Sequence, residues 1–237
     1  GYGLCYFVEE MLKTFKNDSF KDKRVIISGA GKVGSMAAEK AIELGAKVIA
    51  ISDISGVVHD EKGIDIKLIK DLSATNQVVV DKYTTYHPDA IFSPNPVDIW
   101  KVPCDIALPC ATQNEIYLDS AIELVKNGCW LVAEGANMPT TSDAMKYFKD
   151  HNVLFGPGKA ANAGGVTVSG LEMTQNATFQ SWSFEEVDQK LHHIMKKIFK
   201  RCHEASVTYT GRPDDLVTGA NIAGFMKVYQ AMLQQGV

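Results

Sequence analysis

Residues 25–34 read VIISGAGKVG, and Gly29, Gly31 and Gly34 stand in that run at the spacing G-x-G-x-x-G. An apolar strand pattern precedes them and a helical pattern follows. In that context the three glycines have separate roles. Gly29 permits the tight turn, Gly31 lets a ligand approach the backbone, and Gly34 lets helix pack on strand. The free N–H groups and dipole of the helix N-terminus then favour a pyrophosphate. Lys32 and Val33 lie inside the turn, where the lysine either adds charge near the phosphates or points to solvent. The competing explanation is a strand–helix turn with no ligand.

A second chemical position, Asp53, closes the next apolar run, 24 residues after Gly29. An acid at that distance accepts a hydrogen bond from a ribose 2′-hydroxyl and repels a 2′-phosphate, so charge alone predicts NAD. A turn aspartate in SDISG is the alternative. Two further runs, PCATQNE (109–115) and EGANMP (134–139), each follow a strand pattern. Ala111, Thr112, Gln113, Asn114 and Asn137 are small or neutral and suit a carboxamide and a ribose. Thr112 or Asn114 could equally cap the next helix, with Glu115 in its first turn. Finally, GKAANAGGVTVSG (158–170) places Asn162, Val166 and Ser169 at i, i+4 and i+7, on one helix face. Gly164 and Gly165 would clear space for a flat ring, Asn162 can bond a carboxamide or sugar, and Ser169 can donate to a small carboxylate. Close helix packing favours the same small residues.

These positions need a frame that delivers them to one edge. Strand patterns at 24–28, 46–52, 104–111, 129–136 and from 153 alternate with helical patterns, among them 62–74, QNEIYLDSAIELVKNG and TSDAMKYFKDHN. Such alternation predicts an α/β fold, a doubly wound and mostly parallel Rossmann-like sheet, with ligands outside the carboxyl ends of its strands. The stretch 75–103, with three prolines in SPNPVDIWKVP, reads as irregular. Helices at about 164–180, 184–205 and 215–235 follow the sheet, which divides the chain into 1–163 and 164–237. Leu4, Phe7, Val8, Met11, Leu12 and Phe15 make an opening helix face, without an initiator Met, so the chain reads as a domain of a longer protein.

Composition narrows the classes. The 237 residues are 46% hydrophobic with net charge −4, which gives no electrostatic attraction for nucleic acid. KKIFKR (196–201) suits a solvated helix face. No apolar run approaches the roughly 20 residues of a membrane span. Five cysteines without a Cys-x-x-Cys pair predict a reduced, cytoplasmic chain, with Cys104 and Cys110 as buried thiols. Adjacent His192 and His193 point to different helix faces and are not expected to share a metal. Lys159, beside Asn162, is read as structural ahead of substrate-binding.

Taken together, GYGLCYFVEEML, SGAGKVG, SDISG, CDIALPCATQNE, EGANMPTT, GPGKAANAGGVTVSGLEMTQN, LHHIM and GANIAGF resemble the cofactor domain of glutamate dehydrogenase, nearest its hexameric, NADP-preferring branch. The resemblance implies reversible oxidative deamination of L-glutamate to 2-oxoglutarate and ammonia. It places Ala111, Thr112 and Asn137 by the nicotinamide ribose, Asn162 at the nicotinamide, and Val166 and Ser169 around the glutamate side chain. It also places the catalytic lysine and aspartate ahead of GYG, so no catalytic residue is expected in this chain and the chain alone is expected to be inactive. A hexamer is implied, with the late helices meeting the preceding domain. The branch favours NADP, with Ser52, Ser55 and backbone N–H groups on the 2′-phosphate and Asp53 protonated or turned away, against the NAD that Asp53 suggests by charge; use of both cofactors is the further alternative. Leucine-, valine- or phenylalanine-type dehydrogenases are disfavoured by the hydroxyl of Ser169. A nucleotide sensor is disfavoured by the intact pocket wall.

Overall fold

The computed structural model describes residues 1–74 and 78–236. Its centre is a seven-stranded sheet in the order β4-β3-β2-β1-β5-β6-β7. The strands are β1 (Arg24–Ser28), β2 (Lys47–Asp53), β3 (Gly56–His59), β4 (Ile91–Ser93), β5 (Ile106–Pro109), β6 (Leu131–Ala133) and β7 (Leu154–Gly156). β2, β1, β5, β6 and β7 run parallel. Alternate residues of one strand serve opposite faces. Thus Val25 and Ile27 enter the core beneath α1 (Tyr2–Lys16) and α2 (Lys32–Glu43), while Ile26 joins Trp100, Leu124 and Phe148 on the other side. Both faces are covered, which is why these strands are apolar at nearly every position.

The sheet has two strands that the sequence pattern does not predict. β3 returns antiparallel from β2, pairing Asp53 with Gly56, and β4 adds antiparallel to β3. The connecting pair Ile54-Ser55 carries none of the Asn-Gly or Asp-Gly chemistry that marks a two-residue hairpin. Only Gly56, at φ 148, betrays the turn. β4 lies within the stretch expected to be irregular, and three residues are too few to show a period. The same stretch also holds 3₁₀ turns at Val80–Lys82 and Pro96–Lys101 and the short α4 (Tyr83–Tyr86); positions 75–77 lie outside the described residues.

Two helices start later than their patterns. α3 (Ile66–Ser73) begins at Asp65, whose side chain accepts from Leu68 N at 3.0 Å. The preceding residues are spent on the sheet margin, where Ile64 N donates to Val48 O. α5 (Leu118–Lys126) is preceded by Tyr117 with no side-chain cap, so neither Thr112 nor Asn114 caps it. Ile116 instead bridges Thr140, and Glu115 N and Ile116 N both donate to Pro139 O. α6 (Ser142–Asp150) and the short α7 (Gly158–Ala161) follow.

The last three helices are α8 (Gly164–Ala177), α9 (Phe184–Thr210) and α10 (Leu216–Gln235). α9 belongs to the main core: Phe199 meets Phe7 edge-to-face at 5.5 Å, and Tyr6 donates to Asp188 at 2.7 Å. Buried Lys40 of α2 reaches Asp188 at 3.4 Å and Glu43 at 2.7 Å, beneath the Tyr2 ring. α1 is seated on its neighbours through glycines. A Cβ on Gly3 would lie 2.7 Å from Gly164 Cα, and one on Gly1 would lie 2.4 Å from Ala37 N. α10 rests on α9 at Gly219, where a Cβ would meet Cys202 O. The outer faces of α8 and α10 remain apolar and exposed at Met173, Phe225, Val228 and Leu233.

Candidate functional site

From β1 the chain passes to β2 on one side, and β5 later takes the other side. Crossovers that diverge in this way open a crevice at the carboxyl ends of the strands between them. Ser28 is level with Pro109 across that junction, so the glycine turn after β1 and the segment after β5 face each other. Gly29 has φ 86, and a Cβ there would come within 3.0 Å of Ala111 Cα. A Cβ on Gly34 would fall 1.8 Å from Gly29 O, so helix and turn touch through bare backbone. Gly31 differs: nothing lies within 4 Å of its Cβ position. It caps α2 without a side chain, and no acid stands in the first turn. The first-turn N–H groups of Lys32, Val33 and Gly34 therefore open onto a space with no competing acceptor from a capping side chain. Cradle and donor set both fit a pyrophosphate.

The crevice widens into a cleft of about 690 Å³ lined by Val33, by Ala111, Thr112 and Gln113, by Gly135, Ala136 and Asn137, and by Asn162 and Val166. Three separate loops thus converge as the sequence requires. Asn162 Nδ2 donates to Asn137 Oδ1 at 2.7 Å and to Ala136 O at 3.2 Å. Those two acceptors fix its amide and leave Oδ1 to accept from a ligand. Asn162 ends α7 and α8 starts at Gly164, so Asn162, Val166 and Ser169 are not on one continuous helix. Val166 is 74% exposed, and Ser169 is exposed with its hydroxyl on Gly165 O at 3.3 Å. Gly164 serves the contact with Gly3, not a ring; Gly165 is the open one.

Asp53 is fully engaged. Its Oδ1 accepts from Ser55 N at 2.8 Å and Ser55 Oγ at 2.5 Å, and its Oδ2 accepts from Val79 N at 2.7 Å and Val80 N at 3.0 Å. Ser52 is buried, with its hydroxyl 3.4 Å beneath Gly29 N, so it braces the turn and does not reach a surface phosphate. Lys159 donates to Asn221 of α10 at 2.5 Å. His192 stacks on Tyr6 and lies 3.2 Å from Glu9, whereas His193 is exposed. The five thiols are all free and buried.

Two carboxylates lie under the cleft: Glu115, expected in the first turn of the next helix but lying before α5, and Glu134, which no sequence pattern singled out. Glu115 accepts from Ala111 N at 3.2 Å; burial pushes its carboxyl up, while Ser28 and the N–H groups of Ala111 and Thr112 pull the other way. Glu134, 6% exposed, accepts from Gly158 N at 2.6 Å and Thr140 N at 3.2 Å, and burial raises it too. An acid embedded in an apolar strand end, as in LVAEGA, is the signal that marks it.

This geometry has close relatives. A sequence profile described as glutamate/leucine/phenylalanine/valine dehydrogenase matches residues 1–236. The NADP-specific glutamate dehydrogenase of Helicobacter pylori strain J99 is 45% identical over 243 residues, covering 100% of this chain and 54% of that protein. The NADP-specific glutamate dehydrogenase of Escherichia coli K12 is 49% identical over 241 residues, covering 100% and 53%. In structure, Plasmodium falciparum glutamate dehydrogenase superposes with a TM-score of 0.95 at 45% identity, over 100% of this chain and 51% of that one. The chain spans about half the length of the relatives it matches. Among the described residues no helix is long and apolar enough to cross a membrane. With the profile running from the first residue almost to the last, over a sheet and crevice of the kind described, this chain belongs to the glutamate/leucine/phenylalanine/valine dehydrogenase family.

Proposed function

We infer that the chain is the cofactor half of an NADP-linked glutamate dehydrogenase, which interconverts L-glutamate with 2-oxoglutarate and ammonia. The observation that carries the cofactor choice is the seating of Asp53. Both of its oxygens are spent on Ser55, Val79 and Val80. A carboxylate held by three backbone N–H groups and a hydroxyl has its charge compensated within its own surroundings. It offers a ribose 2′-hydroxyl little and repels a 2′-phosphate less than a free acid would. NADP-specific relatives at 45% and 49% identity support the same choice.

In this assignment the α2 N-terminus holds the pyrophosphate. Ala111, Thr112 and Gln113 flank the nicotinamide ribose, and Asn162 Oδ1 accepts from the carboxamide. Val166 and Ser169, on the first two turns of α8, face the substrate. The bound cofactor supplies the hydride acceptor or donor; the chain's own part is to orient it and exclude water from one side. The exposed apolar faces of α8 and α10 support contact with the rest of the enzyme, in a homohexamer, and the free thiols suit the cytoplasm.

Paired titrations with NADPH and NADH, followed by reduced-nicotinamide fluorescence in phosphate-free buffer, test the assignment. NADPH is expected to bind at least about tenfold tighter, a difference of about 1.4 kcal/mol. Tighter NADH binding would overturn the NADP assignment.

A further inference from the structure

We propose that Glu134 is a positioning residue for the nicotinamide end of the cofactor: it ties together the two loops that carry Asn137 and Asn162 and thereby sets the amide pair that reads the ring. This deepens, and rests on, the cofactor site inferred above. Glu134 stands at the end of β6, and its two oxygens serve different segments. Oε2 accepts from Gly158 N at 2.6 Å, at the start of α7, and Oε1 accepts from Thr140 N at 3.2 Å, at the far end of the 135–141 loop. Asn137 lies inside that loop and Asn162 ends the segment that Gly158 begins. The two amides meet at 2.7 Å on the cleft wall, and Asn162 also reaches Ala136 O. One carboxylate therefore fixes both supports of the pair.

The chemistry of the junction admits few other side chains. Glu134 is buried; backbone N–H groups of Gly158 and Thr140 donate to it, and the Thr140 hydroxyl lies beside it. Holding a charge in a dry site is costly unless hydrogen bonds compensate it. Glutamine would keep one acceptor but turn an NH₂ group toward an N–H, leaving that donor unpaired. The approach is also tight on the opposite side: a Cβ on Gly158 would lie 3.1 Å from both Glu134 Oε2 and Ala136 O. The demand for two acceptors and a bare backbone opposite them is more than a fold contact needs. It is what holding two loops in fixed relation needs.

The test compares two ligands. NADPH engages the whole cleft; adenosine 2′,5′-bisphosphate has the phosphorylated adenosine end and no nicotinamide. In this protein, Glu134→Gln is expected to weaken NADPH about tenfold and to leave the bisphosphate within about twofold. The loss should shrink strongly in an Asn162→Ala background, since the two residues act through one contact. Gly158→Ala attacks the junction from the other side and should give the same ligand-selective loss if Glu134→Gln does not yield folded protein. Equal weakening of both ligands would overturn the proposal, because Glu134 would then support the fold at large. So would unchanged NADPH affinity, or a loss that simply adds to that of Asn162→Ala. Unmodified protein that binds neither ligand would overturn the cofactor assignment itself, before any variant is compared.

Discussion

At the scale of single residues, the three glycines of the turn divide by what surrounds them. Gly34 is in contact with Gly29 O, whereas Gly31 faces open space at φ −74 and ψ −169, a conformation alanine adopts freely. Gly34→Ala is therefore expected to yield unfolded or insoluble protein. Gly31→Ala should melt within about a degree of the parent and lose NADPH affinity, because its methyl enters the pyrophosphate space. Thermal melts and fluorescence titration of the pair check this, and a strongly lowered melting temperature for Gly31→Ala would contradict it. Asp53 carries a parallel prediction. Asp53→Asn removes an acceptor from a group with four donors around it, which costs about 1–3 kcal/mol, or a melting shift of a few degrees for a domain of this size. The NADPH-to-NADH preference should change little; a strong gain in NADPH over NADH would show that Asp53 faces the ribose after all. The close contacts at Gly29 and Gly34 and the open space at Gly31 were legible because a local pattern of strand, turn and helix specifies them. The seating of Asp53 was not, since Val79 and Val80 reach it from 26 and 27 positions away.

At the scale of elements, the parallel strands and most helices could be read from hydrophobic period, whereas β4 is too short to show one and other stretches are overridden from outside. Residues 56–59, 62–64 and 113–116 have local patterns that tertiary hydrogen bonds override. Ile116, for example, follows a helical pattern yet pairs with Thr140 across two loops. No motif marks Lys40, and its interest comes from its burial. It is the cation of a junction among α1, α2 and α9, with Asp188, Glu43 and the rings of Tyr2 and Tyr6 around it. Lys40→Met removes the charge and, among the described residues, leaves Asp188 with the Tyr6 hydroxyl. A destabilisation of about 3 kcal/mol is expected, measured by urea unfolding, and Lys40→Met with Asp188→Asn should recover part of it. A neutral single variant would mean that the junction is held by its aromatic packing alone.

At the scale of the whole molecule, the ionisable groups make opposed contributions to stability. Lys70 and Tyr2 hold Glu39 below the usual carboxylate range, and Lys101 and Ser93 do the same for Asp98. Stability from these groups is present above their unfolded value of about 4 and is lost as pH falls through the lower folded value. Glu115 and Glu134 run the other way. Burial raises both, so their ionisation costs stability as pH rises through their folded values, and that cost is gone below the ordinary range. The melting temperature is therefore expected to rise slightly from neutral to mildly acidic pH and then to fall below about pH 4. Scanning calorimetry of the protein and of Glu115→Gln tests this: the variant should flatten the rise, and a steady decline from neutral pH in the parent would contradict it. The site as a whole was legible as a set of segments but not as an arrangement, because its depth comes from the buried acids and from glycines that touch across helices. Those glycine contacts have a mechanical consequence. The start of α1 bears at once on α2 through Gly1, the residue before its first turn, and on α8 through Gly3. The two helices that line the cleft at Val33 and Val166, α2 and α8, are thus journalled on a single pivot. A small tilt of that turn would move both jaws together and change the gauge of the slot.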